Sequence, residues 1–334
     1  MAKRKYKKII VSVKLIVIVM LFLGCSKNVG EEAEKTTEIT LNKGAFVDES
    51  TDYKTFNLNS DNKYEQIDIG NEVINNFNIK SNTYTYYKDG SFYIKYNSKD
   101  IKINHDRIID LKISPEGNYV FYFIQEEYLK PVVMDLKNEK EIILNNKVVI
   151  SGEFIDWITD ERLAYYGVNT DEKSTGIFTY DVHNNEEDIL YKINKGYVKF
   201  LKHIDNGLVV AEQHYDGECI LNMIDINGSI REISTEVIYI NDIEAVGDKI
   251  YLLGEVKNNK FSIYQISNGE VKRLIFDFPN ILYAQKGLSI NEFGEVLFVG
   301  GSSKSNTENL YKYSDGNVML VYENIKNCNF ININ

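Results

Sequence analysis

The sequence predicts an all-β fold, a β-propeller built from four-stranded blades. Three observations predict it. The body after residue 60 is rich in Tyr, Phe, Ile and Val, the whole chain holds only three prolines, and no helical periodicity runs through that body. One strand–turn–strand phrase recurs along the chain. The recurrence has a period of 40 to 50 residues with four short strands in each copy, which is the period of a propeller blade.

The phrase begins at Asn78-Ile-Lys-Ser-Asn-Thr-Tyr-Thr-Tyr86, its weakest copy, and is clearest at Ile113-Ser-Pro-Glu-Gly-Asn-Tyr-Val-Phe-Tyr122. It returns at Trp157 to Tyr166, His203 to Ala211, Ala245 to Leu253 and Ile290 to Phe298. Taking 117, 161, 207, 248 and 294 as the turn, the spacings are 44, 46, 41 and 46. A second hairpin follows each copy, as at Val133-Met-Asp-Leu136, Phe178 to Val182, Met223 to Ile226, Ile263 to Ile266 and Leu310 to Tyr313. Asn227-Gly228, Asn268-Gly269 and Asp315-Gly316 then mark turns, because a type I′ hairpin needs two residues that tolerate positive φ.

Six blades are legible, at 72–106, 107–148, 149–193, 194–234, 235–275 and 276–322. The segment Ile325 to Ile333 reads as one innermost strand without the rest of its blade. Tyr53 to Leu58 and Tyr64 to Ile69 read as outer strands without an inner one, with Glu38 to Leu41 a possible further strand. Joining them gives a composite seventh blade and leaves no open edge. Six blades, with the first segment outside the ring, is the alternative. Ile113-Ser114-Pro115-Glu116-Gly117, followed by Met134-Asp135-Leu136, resembles the Ser-Pro-Asp-Gly repeat of TolB-like propellers, with Glu116 in place of the usual Asp. The resemblance implies a fold and carries no catalytic residues.

The N-terminus carries an address. Lys3, Arg4, Lys5, Lys7, Lys8 and Lys14 form a basic leader, and Leu15 to Leu23 is an unbroken apolar run before Gly24 and Cys25. That is the pattern of a secretory signal over residues 1–24. The run is too short for the roughly 20 residues of a membrane helix. Leu21-Phe22-Leu23-Gly24-Cys25 resembles the lipobox of bacterial lipoproteins, although Phe22 and Leu23 depart from its preferred residues. The resemblance implies a diacylglyceryl thioether on Cys25 and a protein anchored on the extracytoplasmic face of the cell membrane. Residues 25–50, rich in Ser, Lys, Asn, Glu and Thr, read as a flexible tether, and 51–334 as a single propeller.

Loss of the leader takes six positive charges with it, so the formal charge moves from −11 to −17. So acidic a chain is ill suited to nucleic acid. Besides Cys25 only Cys219 and Cys328 remain, on blades far apart, and two separate buried thiols are expected.

In a propeller the strands of one blade run outward from the axis. The first-to-second and third-to-fourth turns lie on one face, the second-to-third loops and the blade connections on the other. The second-to-third loops read as longer and chemically richer, so function is expected on their face. Glu126, Glu127, Asp171, Glu172, Asp216 and Glu218 suggest an acidic rim, for Ca²⁺ or a basic partner or merely solvated. His214-Tyr215-Asp216 is the most reactive-looking trio. Trp157, the only tryptophan, is a core residue or a stacking platform near the axis. No metal-ligand spacing, phosphate cradle or nucleophile elbow occurs, and no cofactor is expected. Two functions follow. One is a non-catalytic binding module for a protein or envelope component. The other is an enzyme on envelope glycans or peptides, which needs two carboxylates and a histidine converging in the central funnel.

Overall fold

A computed structural model describes residues 39–49, 53–205, 207–302 and 307–334. The leader, Cys25 and most of the expected tether lie outside them. The described chain folds into seven sheets of four or five strands, antiparallel but for one short parallel pair, and its one helical element is a short 3-10 turn, Ala284–Lys286. This is a seven-bladed propeller.

Blade I comprises Val73–Asn78, Thr83–Lys88, Ser91–Tyr96 and Lys99–Lys102, from the axis outward. Blade II comprises Ile108–Ile113, Tyr119–Gln125, Leu129–Asp135 and Lys140–Ile143. Blade III follows with Val149–Trp157, Arg162–Asn169, Ser174–Asp181 and Glu186–Ile193, and blade IV with Gly196–Ile204, Gly207–His214, Cys219–Ile224 and Ile230–Ser234. Blade V holds Val237–Val246, Lys249–Val256, Ser262–Ser267 and Glu270–Arg273. In blade VI the inner strand is split into Ile281–Leu282 and Leu288–Ile290, both paired with Val296–Gly301, and Glu308–Ser314 and Asn317–Ile325 lie outside it. All six turns of the recurring phrase join an inner strand to the second strand of its blade.

The second strands explain why the phrase is legible. Val120 to Ile124, Leu163 to Gly167, Leu208 to Ala211 and Val296 to Val299 are buried on both sides, since each lies between two neighbouring blades. A strand buried twice is an unbroken apolar run, whereas a surface strand alternates. The core accordingly sits between blades. Phe121 and Val133 of blade II pack with Trp157, Leu163 and Tyr165 of blade III, and Val209 and Met223 of blade IV with Ile243 and Leu252 of blade V. A recurrent polar peg secures the outer edge: a buried second-strand tyrosine donates to a fourth-strand carboxylate, Tyr86 to Asp100 (2.9 Å), Tyr122 to Glu141 (3.0 Å) and Tyr165 to Glu187. Burial and these carboxylates push all three phenols well above the ordinary range.

The seventh blade is composite, with a finer division than the sequence suggests. Cys328–Phe330 is its inner strand and pairs with Phe46–Asp48; Lys54–Leu58 and Tyr64–Ile67 complete it. Asn332–Ile333 leaves that blade and pairs, in parallel, with the inner strand of blade I. The tail therefore serves two blades, not one. Phe46–Asp48 lies inside the segment expected to be tether, and Leu41, Ala45 and Phe46 are buried, so the fold begins by Ile39 rather than at 51. Two polar stretches flank this short apolar patch and hide it from a composition reading. Ile39 to Leu41 forms no strand. The turns also differ in part: Asn268-Gly269 and Asp315-Gly316 have positive φ at both residues, but Asn227-Gly228 sits in a five-residue loop where Asp225 accepts from the N–H groups of Asn227 and Ser229. Cys219 and Cys328 are both buried free thiols, raised by burial above the ordinary thiol range.

Phe46 is fully buried, stacks on Phe56 at 5.0 Å and lies opposite Phe330 across the splice. Replacing it by Ala is expected to cost about 3–5 kcal/mol. Urea unfolding followed by circular dichroism checks this; a change below about 1 kcal/mol would show that the splice does not hold the ring.

Candidate functional site: the rim of the connection face

One face carries the first-to-second and third-to-fourth turns, and there Asn42 bonds Asn57 and Leu58 at the end of a third strand. The other face carries the second-to-third loops and the connections between blades. Loop length separates the two only weakly. The second-to-third loops of blades II to V, at 126–128, 170–173, 215–218 and 257–261, have three, four, four and five residues, against five, four, two and two for the first-to-second turns at 114–118, 158–161, 205–206 and 247–248. The expected longer loops occur in blades IV and V but not in II and III.

Aromatic side chains do distinguish the faces. Nine aromatic residues are exposed among the described residues, and eight of them lie on the connection face: Tyr53, Tyr87, Tyr128, Tyr197, Tyr215, Tyr239, Phe276 and Phe278, with Phe293 alone opposite. Tyr128 is 78% exposed and Tyr215 80%. They reach the rim by different routes. Tyr128 and Tyr215 sit in second-to-third loops, Phe276 and Phe278 in a blade connection, and Tyr197 and Tyr239 near the start of inner strands. Tyr197 follows from period two, since its neighbour Val198 turns inward and is buried; Tyr239 shares the parity of buried Val237, and the bulge between the two goes with its outward turn. A sequence reading keyed to charged loops misses Tyr197, Tyr239, Phe276 and Phe278; the signal is an aromatic on the polar parity of a strand or beside a turn.

The expected acidic residues lie on this same rim, on three consecutive blades. Glu126 and Glu127 are exposed in blade II, Asp171 and Glu172 in blade III, and Asp216 in blade IV. Asn169 accepts the N–H groups of Asp171 and Glu172, each at 3.1 Å, which shapes that turn. Among the described residues no group of three or more His, Cys, Asp or Glu is placed to hold a metal ion. The buried Ser174 hydroxyl, at the foot of the 170–173 loop, has no hydrogen-bond partner among the described residues.

The trio His214-Tyr215-Asp216 does not act as one. His214 Nε2 lies 3.0 Å from Glu212 Oε1, two residues back on the same face of the second strand, while Asp216 Oδ1 accepts the N–H of Glu218. Glu212 is 3% exposed and also accepts from Tyr191 Oη at 2.9 Å. Burial, then that hydrogen bond, push the Tyr191 phenol up to about 12. Glu212 escapes a sequence reading because it ends an apolar run, Val209-Val210-Ala211. Tyr215 stands apart from the pair.

Trp157 is no platform. It is buried between blades II and III, stacks on Tyr119 with centroids 6.2 Å apart, and donates from Nε1 to the Lys112 carbonyl at 3.0 Å. Its neighbours belong to a belt of contacts near the axis. Lys112 of blade II donates to Ile155 O of blade III at 2.6 Å; Lys202 of blade IV meets Asp242 at 2.8 Å and Glu244 at 2.9 Å in blade V; Lys286 of blade VI reaches Asn327 and Asn329 of blade VII. Asp156 and Asp242 accept the backbone N–H of the following blade, from His203 and Leu288. Burial opposes the charge on Lys202, but its two carboxylates outweigh that and raise its pKa; burial likewise raises Glu244 against the pull of Lys202.

No protein-family profile matches the sequence, and no curated protein is significantly similar to it. Solved structures do resemble it. The β-propeller domain of the Trilobed protease from Pyrococcus furiosus, described as having an open velcro topology, superposes with a TM-score of 0.51 at 17% identity, over 75% of this chain and 85% of that one. Puromycin hydrolase superposes with a TM-score of 0.53 at 11% identity, over 85% of this chain and 54% of that one. TolB from Acinetobacter baumannii gives 0.44 at 12%, over 88% and 81%. The first two likenesses concern the fold alone.

Burial lowers the pKa of His203, against the pull of Asp156 and Asp205. A depressed histidine is neutral in the folded chain, so the unfolded chain takes up a proton first as pH falls below about 6.5. Stability is expected to be complete above that pH and to decline below it, with a shallower decline in His203→Gln; identical slopes in chemical denaturation at pH 7 and pH 5 would contradict this. His214→Ala leaves Glu212 buried with only Tyr191 and is expected to cost about 1–3 kcal/mol. His214→Ala/Glu212→Gln should recover much of that loss in the same assay.

Proposed function

We propose that this chain is a non-catalytic binding module, held on the extracytoplasmic face of the cell membrane by a lipid on Cys25, that docks a protein or other envelope component on its connection face. One observation carries the reading: eight of the nine exposed aromatic side chains of the described residues share that face. Exposed apolar groups gathered on one surface mark interaction sites, whereas singly scattered ones mean little. Catalysis in the central funnel has less support. Asp156, Asp242 and Glu244 already serve lysines or backbone N–H groups, and no histidine ring is hydrogen-bonded to a carboxylate beside them among the described residues.

Two measurements test the reading. Cys25→Ala should move the protein from the membrane fraction to the soluble one; unchanged membrane retention would remove the anchor. For the face, Tyr128→Ser/Tyr215→Ser/Tyr239→Ser should lose the partners recovered from membranes, while Ile79→Ser/Phe293→Ser on the opposite face should keep them. Equal recovery by both variants would refute the choice of face.

A further inference from the structure

We infer that the partner presents a basic, extended polypeptide segment, which lies along the arc of loops on blades II, III and IV; this rests on the connection face being the docking face. The three loops at 126–128, 170–173 and 215–218 together hold six carboxylates, Glu126, Glu127, Asp171, Glu172, Asp216 and Glu218, against one cation, Lys173. All six are exposed, and none forms an ion pair among the described residues. Asp242, Glu244 and Glu295, on inner strands or the turn face, by contrast each meet a lysine within 3 Å. The three loops thus carry a net negative charge that the fold does not use.

Aromatic rings stand among these carboxylates. Tyr128 directly follows Glu127 and Tyr215 directly precedes Asp216, both with most of the ring in solvent, and Tyr197 emerges beside them at the start of the blade IV inner strand. A ring face attracts a guanidinium or ammonium group, and an adjacent carboxylate adds a charge-assisted hydrogen bond. The rim already shows the first of these contacts within the chain: the guanidinium of Arg273 lies 5.2 Å from the centre of the Phe276 ring. Lysine or arginine side chains therefore satisfy both components of the arc at once. An anionic surface is repelled by it, and a neutral glycan uses the rings but leaves the six charges without counterions. The loops are short and successive, so they offer a shallow track rather than a deep pocket, which suits an extended segment.

The full chain in detergent is titrated by fluorescence anisotropy with labelled ten-residue peptides of equal aromatic content, Lys/Arg-rich, neutral and Glu-rich, and with labelled chito-oligosaccharide as a separate probe. The Lys/Arg-rich peptides are expected to bind at least tenfold more tightly than the Glu-rich ones, and to weaken several-fold between 50 and 200 mM salt. Glu126→Gln/Glu127→Gln/Asp171→Asn/Glu172→Asn, all exposed positions, should reduce that binding at least tenfold, as should Tyr128→Ser/Tyr215→Ser. The opposite-face variant Ile79→Ser/Phe293→Ser should bind as the parent does. Peptides that bind without regard to charge, or oligosaccharide binding in place of peptide binding, would overturn the inference while leaving the docking face standing. Basic peptides that bind equally to parent and both rim variants would overturn it as well. Only equal partner recovery by the two face variants, in the membrane experiment above, would bring down the underlying reading.

Discussion

The two ends of the ring are tied by strand pairing, and that tie sets the frame for the rest of the structure. A blade with a free inner or outer strand presents unpaired N–H and C=O groups, and an open ring would also leave two apolar blade faces in water. Here the tie is the pairing of Cys328–Phe330 with Phe46–Asp48, reinforced by the parallel pairing of Asn332–Ile333 with blade I. Side chains repeat the same splice. Asp48 accepts the Lys326 N–H, Glu308 accepts that of Cys328, and Glu49 is held by Asn327 and Asn329. Asn334 reaches further still, to Phe77 of blade I and to the Ile113 carbonyl at the end of the blade II inner strand. Residues from the two ends of the described chain thus share one sheet, which makes the closure the most non-local contact in the fold.

The same closure decides what the polar residues near the axis are for. Blades pack face to face through apolar side chains, and such contacts fix distance better than register. Directional contacts supply the register. Lysines of blades II, IV and VI hand across to blades III, V and VII, and aspartates of blades III and V accept N–H groups of blades IV and VI. At the turn face Asp160 of blade III takes Ser114 Oγ, the Glu116 N–H and Asn118 of blade II, and Glu295 of blade VI takes Lys312 together with Asn62 of blade VII. Burial works against the Glu295 carboxylate, but the hydrogen bonds from Lys312, Asn291 and Asn62 hold it below the usual range.

The fold is legible in the sequence because one physical demand recurs in it. Every second strand is buried on both sides, so Val120 to Ile124 and its counterparts stand out as apolar runs, and the turns around them favour Gly, Asn or Asp. The splice is only partly legible: Phe46–Asp48 is three residues long and carries no turn signal of its own. The candidate site is the least legible. Glu126, Glu127, Asp171, Glu172 and Asp216 fall on the expected face because strand order alone fixes which loops share it. Trp157 and His214 mislead for the opposite reason, since their surroundings come from a neighbouring blade in one case and a buried carboxylate in the other. Tyr197 needs the parity of an inner strand, and Tyr239 departs from that parity through a bulge between Val237 and Tyr239 that leaves no mark in sequence.

What remains unspent after folding is the clearest guide to function. Lys112, Lys202, Asp156, Asp160 and Asp242 are engaged with neighbouring blades, and Tyr86, Tyr122 and Tyr165 of the second strands are anchored to fourth-strand acids. Tyr128 and Tyr215 carry no comparable duty. No ring stacks on either among the described residues, and their side chains lie mostly in water. Exposing a large ring brings the fold nothing, because the hydrophobic gain comes only on burial. A turn at those positions would be served as well by Ser or Asn. The asymmetry between the faces sharpens the point, since the same short loops on the turn face carry a single exposed aromatic, Phe293. A surface that holds large apolar side chains in water, beside carboxylates left without counterions, is complementary to something that brings both a cation and a surface to cover the rings.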